Sequence, residues 1–450
     1  MLKRIAFTGL SILALLTPLS GQNIDYLYKA YQNQYEELAT ARGLKPLEVS
    51  KNLSQFRQIN LNTVEDLSRK MGEYYRGQKN LAVVLFFFHE DTLHRLFFEP
   101  GRCREIKHFP ITRNALQNLT ENFYSTLNLY DMVAKRSAVK RGASVSHSIT
   151  NPTLSYDQYI DTFTRLFLPD TFTEKYQHLI VIPSLNIGVF PFQLLRPYAN
   201  KQELIHHCSF SIAPTLLDFA FANEMRRFTG NGAKLSDTAF WTTNHALLIN
   251  NPTYPVSENY HFPDLPGAEK EIKLSLPYFK KEKRILTGKQ ARKDSVMALM
   301  SGCDLVYFAT HGMSDVENPM QNNFLVLSGE NPYLTSKEVM DMRLIDKYRA
   351  PEMVILSACQ SGLGKSMEAG VAGSMARSFV ISGTKYVIQS LWSVDDDATA
   401  YLMSRFMHWI HQGVPFFPAE ALRLASLETR EKYPDPAHWA SFSLIGTMTQ

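Results

Sequence analysis

A chain of 450 residues, 45% of them hydrophobic and 20% charged, has the make-up of a folded protein with a sizeable core, which excludes a chain dominated by disorder. A net charge of +4, with basic clusters only as long as K-R-S-A-V-K-R from Lys135 and K-K-E-K-R from Lys280, lacks the one-sided excess of a nucleic-acid footprint. Four cysteines, at 103, 208, 303 and 359, are too few and too widely spaced for a disulfide framework. They read as free thiols, with one disulfide among Cys103, Cys208 and Cys303 as the alternative.

The first residues, M-L-K-R followed by the apolar run Ile5 to Leu16 and then Pro18, Ser20 and Gly21, have the layout of a secretory signal peptide over residues 1–21. The run is short of the roughly 20 residues of a membrane span. The expectation is a secreted or periplasmic protein, cleaved near Gly21, with no stable membrane span afterwards. Residues 22–80 carry apolar positions at helical spacing, among them Tyr28, Tyr31, Tyr35 and Leu38, then Val64, Leu67, Met71 and Tyr74. This helical lead-in either packs on the main body or offers a surface to a partner protein.

At Leu81 the texture changes to strand, turn and strand, L-A-V-V-L-F-F-F then H-E-D-T then L-H-R-L-F-F. Helices are predicted over Arg113 to Arg136 and Tyr156 to Leu168, separated by a Ser/Asn/Thr-rich surface loop from Gly142 to Ser155. The strand H-L-I-V-I-P from His178, the segment F-P-F-Q-L-L, a strand near Leu204 to Ile212 and a helix opened by Pro214-Thr215 follow. Residues 81–228 thus alternate as one α/β half, and the Gly/Asn/Thr-rich segment 229–244 reads as a linker. The second half, 245–450, opens with A-L-L-I-N-N-P from Ala246 and a helix begun by L-P-G-A-E-K-E-I. A short strand R-I-L and a helix to Met300 come next, then strands D-L-V-Y-F-A-T-H-G, F-L-V-L and E-M-V-I-L-S-A-C-Q-S-G. A helix from Gly370 to Ser382, the strand K-Y-V-I-Q-S-L-W, two helices and a last strand from Trp439 complete it. The pattern predicts an α/β fold, a mostly parallel sheet flanked by helices.

Two of these strands end in residues able to do chemistry, His311 and Cys359. Active sites of open α/β sheets sit at the carboxyl ends of the strands, so a thiol and an imidazole delivered there share a cleft. The thiolate is the nucleophile, and a neighbouring imidazole generates it near neutral pH. Small residues around Cys359 let the chain turn and substrate approach, and the bare amide of Gly312 can approach a scissile carbonyl. Asp395, Asp396 and Asp397 form an anionic cluster beyond Trp392. They either favour a Lys or Arg side chain by charge pairing or cap a helix. Trp392 either walls that pocket or packs as core. The thirteen His show no metal-ligand spacing, there is no C-x-x-C, and the Cys-His chemistry calls for neither a metal nor an organic cofactor.

His311 precedes Cys359 by 48 positions (359 − 311), close to the spacing of about 50 found in caspases. With that spacing, L-P-G-A-E-K-E, F-A-T-H-G, L-S-A-C-Q-S-G-L-G, S-L-W-S-V-D-D-D-A-T and W-A-S-F-S-L-I-G together resemble the CHAT domain. That domain is a caspase-like cysteine peptidase domain related to separase and often found with tetratricopeptide repeats. The resemblance covers roughly Leu81 to Gly446. It implies a non-catalytic pseudo-half followed by a catalytic half. It further implies His311 as general base, Cys359 as nucleophile, the amides of Gly312 and Cys359 as oxyanion donors, and Asp396, flanked by Asp395 and Trp392, in the pocket for the residue before the cut. The function implied is a cysteine endopeptidase acting on protein or peptide substrates after basic residues. A non-proteolytic scaffold on the same fold, or an amidase or transpeptidase using the same thioester, are the rival readings. The chain departs from the commoner family form in having no long repeat array.

Overall fold

The computed structural model describes residues 63–127, 154–229, 245–256, 260–279, 281–313, 319–360, 374–392, 395–415 and 418–446. The signal-peptide, the lead-in before residue 63, most of the 142–155 loop and the linker from residue 230 on therefore lie outside the described residues.

The first half is built on β1 (Leu81–His89), β2 (Thr92–Glu99) and β3 (Arg102–Phe109), an antiparallel meander. Eight consecutive positions of β1 are buried, because both faces are covered. Leu81, Val83, Leu85 and Phe87 pack with helix α1 (Val64–Tyr74), while Ala82, Val84, Phe86 and Phe88 face the cluster that includes α2 (Arg113–Ser125) and α3 (Tyr156–Phe167). Helix α1 buries Val64, Leu67, Met71 and Tyr74 against the body, so this part of the lead-in spends its apolar stripe on the sheet. Strand β3 is absent from the sequence reading. Its R-C-R-E-I-K-H-F is polar because it lies at the sheet edge, where charge is tolerated and apolar periodicity fails as a signal. The segment F-P-F-Q-L-L contains one 3-10 turn, Phe192–Leu194, and another, Leu185–Val189, precedes it.

Parallel to β1 run β4 (His178–Ile182) and then β5 (Ser209–Ile212), which leads into α4 (Leu216–Thr229). His178 on β4 is fully enclosed, with Nδ1 at 2.9 Å from the Ser209 hydroxyl and Nε2 at 3.1 Å from that of Ser211. Burial pushes its pKa down to about 3. A histidine depressed in the folded state gives stability that is complete above the ordinary value of 6.5 and lost as pH falls from there towards 3. Acidification from pH 7 to 5 is therefore expected to cost about 2 kcal/mol at this residue. Urea unfolding at both pH values checks this: His178→Gln should flatten the difference by that amount, and an unchanged slope would refute it.

In the second half, β6 (Ala246–Pro252) is flanked by the edge strand β7 (Lys283–Gly288) and by β8 (Leu305–Met313), all parallel. Helix α5 (Pro266–Ser275) connects β6 to β7, and α6 (Lys293–Met300) connects β7 to β8. Beside the end of β8 lie the short antiparallel strands β9 (Phe324–Val326) and β10 (Tyr333–Thr335), then α7 (Ser336–Asp341), opened by a capping box between Thr335 and Glu338. Strand β11 (Met353–Gln360) pairs in parallel with β8 on one side and with β12 (Tyr386–Ser390) on the other. Helix α8 (Met375–Ser382) precedes β12, and α9 (Asp396–Gln412) and α10 (Ala419–Lys432) follow it. The last strand, β13 (Phe442–Ile445), is shorter than the stretch from Trp439, because Pro436–Trp439 makes a helical turn first.

Among the described residues the thirteen strands form one sheet, in which β13 is the seam. It runs antiparallel to β12 and meets β5 of the first half through one parallel pair, Ile445 with Ile212. The halves are further tied by Arg377 of α8, whose Nε and Nη2 reach the Asp218 carboxylate of α4 at 2.7 and 3.2 Å with both side chains largely buried. The expected α/β architecture, a mostly parallel sheet flanked by helices, is the one observed.

Candidate active site

The register of β8 and β11 places the Cα of Cys359 directly across from that of His311, and Gln360 across from Gly312. Neighbouring strands lie about 4.8 Å apart, so two positions 48 residues apart in sequence (359 − 311) become nearest neighbours across one sheet ladder. Both strands run slightly past these residues, β8 to Met313 and β11 to Gln360. The reason at β8 is β9, which pairs with Gly312 and Met313 from the other side. Gly312 is thus enclosed between two strands, paired with Gln360 of β11 and Leu325 of β9.

Strand alternation puts Tyr307, Ala309 and His311 on one face of β8. Tyr307 donates its hydroxyl to Glu271 of α5, which identifies that face as the one α5 covers. The His311 ring lies in a pocket made by the loop entering α5. Tyr254 meets it edge-on at 4.7 Å between centroids and Phe262 lies at 5.4 Å. His311 Nε2 sits 2.7 Å from the Pro263 carbonyl oxygen. A carbonyl only accepts, so Nε2 is the donor here, and in the neutral imidazole that puts the lone pair on Nδ1, the form able to take a proton from a thiol.

The loop is itself held from β6. Asn251, in the left-handed region at φ 36°, accepts from the Leu265 amide at 2.8 Å through Oδ1 and donates to Glu269 at 3.1 Å through Nδ2. Left-handed backbone is tolerated best by Asn among residues with a side chain. Pro263, Asn251 and the two aromatic rings were not singled out in the sequence. A backbone carbonyl carries no residue signature, and the only available cue was the density of Pro and aromatic residues in Y-P-V-S-E-N-Y-H-F-P-D-L-P.

Downstream, the acidic cluster divides by role. Asp395 caps α9, accepting from the Asp397 and Ala398 amides, so helix capping is what its side chain does. Asp397 pairs with Lys270 of α5 at 2.6 Å, and the Lys270 ammonium holds its carboxyl below the usual aspartate range. Asp396, half-buried, lies against Gly267 of the L-P-G-A-E-K-E segment. Trp392 is 1% exposed, its Nε1 donates to the Ala437 carbonyl and its ring meets Tyr124 edge-on, so it packs as core.

The other three cysteines are free. Cys103 and Cys208 are buried, and burial pushes the Cys103 thiol up to about 12 and raises that of Cys208 as well. Burial also raises Cys303. Thiols held protonated in this way make poor nucleophiles. No helix among the described residues is long and apolar enough to cross a membrane.

Comparison with known proteins follows the same lines. The CHAT-domain model matches residues 158–447. Tetratricopeptide repeat protein 28 of Homo sapiens is 22% identical over 61% of this chain, and its Mus musculus counterpart 21% identical over 77%. The chain spans 12% and 15% of the length of those two relatives. The Saccharomyces cerevisiae separase–securin complex contains a similar fold, with a TM-score of 0.50 and 11% identity over 93% of this chain and 34% of the matched one. The sheet, its order of elements and a family match across well over half of its length together establish that this chain belongs to the CHAT-domain family, with a caspase-like fold.

Proposed function

We propose that this protein is a cysteine endopeptidase that cleaves peptide bonds after basic residues through Cys359 and His311. The observation that carries the reading is the ladder register, which sets Cys359 beside an imidazole whose Nε2 is committed to the Pro263 carbonyl. In this mechanism His311 Nδ1 takes the Cys359 proton and the thiolate sulfur attacks the scissile carbonyl carbon. The tetrahedral oxyanion is held by the amides of Gly312 and Cys359. As the C–N bond breaks, the imidazolium gives its proton to the leaving amine, and a thioester remains. Water then adds, giving a proton to His311. The C–S bond breaks, the acid leaves, and the proton returns to sulfur. The Asp396 carboxylate selects a Lys or Arg side chain by charge-assisted pairing.

The signal-peptide pattern supports an exported enzyme, secreted or periplasmic. The test is an activity-based probe with Arg preceding an electrophile, applied to the protein purified from its producing cells. The expected result is one adduct, on Cys359, lost when His311 is replaced by Ala, on a chain whose intact mass starts near Gln22. A chain inert to Arg probes and to a diverse peptide library would refute the peptidase, and a labelled chain retaining Met1 would refute export.

A further inference from the structure

Gly267 lies directly after Pro266 at the start of α5, and its bare Cα faces a close neighbour. That neighbour is Asp396. A methyl group built on Gly267 would sit closer to the Cβ, Cγ and Oδ2 of Asp396 than any non-bonded atoms lie. Cβ and the carboxylate carbon Cγ both lie on the Cβ–Cγ axis, so turning the carboxylate about that bond moves neither and does not relieve the overlap. One helical turn further on, Lys270 of α5 holds Asp397 of α9. The first turns of the two helices are therefore joined at two consecutive positions of α9, one joint made by an ion pair and the other by the absence of a side chain.

The same stretch of chain reaches the imidazole. Pro263, whose carbonyl accepts the hydrogen bond from His311 Nε2, lies four residues before Gly267 (267 − 263). Four residues span at most about 14 Å. The aspartate and the histidine are thus registered against two points of a single short, braced segment, pinned between them where the Leu265 amide meets Asn251.

We infer that Gly267 is a positioning residue for substrate selection: the space it leaves fixes the Asp396 carboxylate where it pairs with the cationic side chain before the scissile bond. The inference rests on the peptidase reading above and adds to it the residue that sets the pocket. A side chain at position 267 displaces the carboxylate, whereas the register of Cys359 with His311 is set by the β8–β11 ladder, so the main effect falls on recognition of the basic residue. Lys270 secures the next residue from outside, but as an exposed pair it contributes little beyond orientation.

The experiment uses the full-length enzyme and compares kcat/KM for paired peptide substrates carrying Arg or its neutral isostere citrulline before the cut, in the wild type, Gly267→Ala and Asp396→Asn. Removing a charge-paired contact from a site built to bind it costs at least about tenfold in discrimination. The expected result is an Arg-over-citrulline ratio that falls at least about tenfold in both variants, carried in Gly267→Ala by a rise in KM for the Arg peptide. Alkylation of Cys359 by iodoacetamide should proceed at the wild-type rate in Gly267→Ala. A Gly267→Ala enzyme that keeps the wild-type ratio while Asp396→Asn loses it would overturn the inference alone. A wild type with no preference for Arg, or an Asp396→Asn enzyme that retains one, would overturn basic-residue selection and this inference with it. Should Gly267→Ala fail to fold, Gly267→Ala/Asp396→Gly, which removes the overlapping atoms, should regain the melting temperature of Asp396→Gly. A double variant that remains unfolded would show that Gly267 does not act through Asp396.

Discussion

Cys359→Ala is expected to lower peptide cleavage by at least about 10³-fold, and His311→Ala by a comparable factor. In the proposed mechanism the thiol and the imidazole act as one proton-exchanging unit, so the double variant should be no slower than the slower single one. That non-additivity separates a catalytic pair from two residues that merely support the fold, whose effects would multiply. Steady-state turnover of Arg-containing fluorogenic peptides measures all three, with circular dichroism confirming that the sheet persists. Two single losses that multiply in the double variant would argue against a shared proton. Residual cleavage within tenfold of wild type in Cys359→Ala would remove the thioester mechanism and assign the cleavage to a group other than this thiol.

The largest expected effect on stability lies far from the thiol in sequence, at Arg377. Its guanidinium makes a two-point contact with the Asp218 carboxylate, and both partners are largely withdrawn from water. Asp218 also accepts from the Thr215 hydroxyl at 2.8 Å at the start of α4. Arg377→Ala leaves that carboxylate buried without its cation, which is expected to cost about 3–5 kcal/mol. Replacing both partners with apolar residues, Arg377→Met with Asp218→Leu, should recover most of the loss, because the penalty comes from the stranded charge and not from the missing attraction. Denaturant unfolding midpoints for the two variants decide it. A cost below 1 kcal/mol for Arg377→Ala would mean that water reaches Asp218 when the guanidinium leaves.

What the sequence disclosed follows from which signals are local. Continuous apolar runs bounded by polar residues marked β1, β4, β8, β11 and β12, because strands buried on both faces need apolar residues at every position. Spacing and small flanking residues marked His311 and Cys359. The polar edge strand β3 was invisible because its partners, and not its own residues, make it a strand. The hydrogen-bond acceptor for His311 was invisible because the Pro263 carbonyl belongs to the backbone. The acidic run Asp395 to Asp397 was legible as a cluster but not as a division of roles. Its three carboxylates differ only in what α5 and the α9 backbone present to each, a tertiary fact. Trp392, open between pocket and core in the sequence, is decided by Ala437 and Tyr124, both distant along the chain.

The seam strand has a consequence for when this protein becomes whole. β13 follows every other strand in chain order, yet it sits between β12 and β5 in the sheet. During synthesis each half can collapse on its own parallel core, as domains do while the chain emerges. The two cannot share a ladder until residues 442–445 have left the ribosome and inserted between strands made long before. Pairing over so long a sequence separation is slow. A nascent chain therefore carries β8 and β11 fully made but borders an open edge at β12. Completion of the sheet works as a late checkpoint on folding, passed only by chains translated through Ile445.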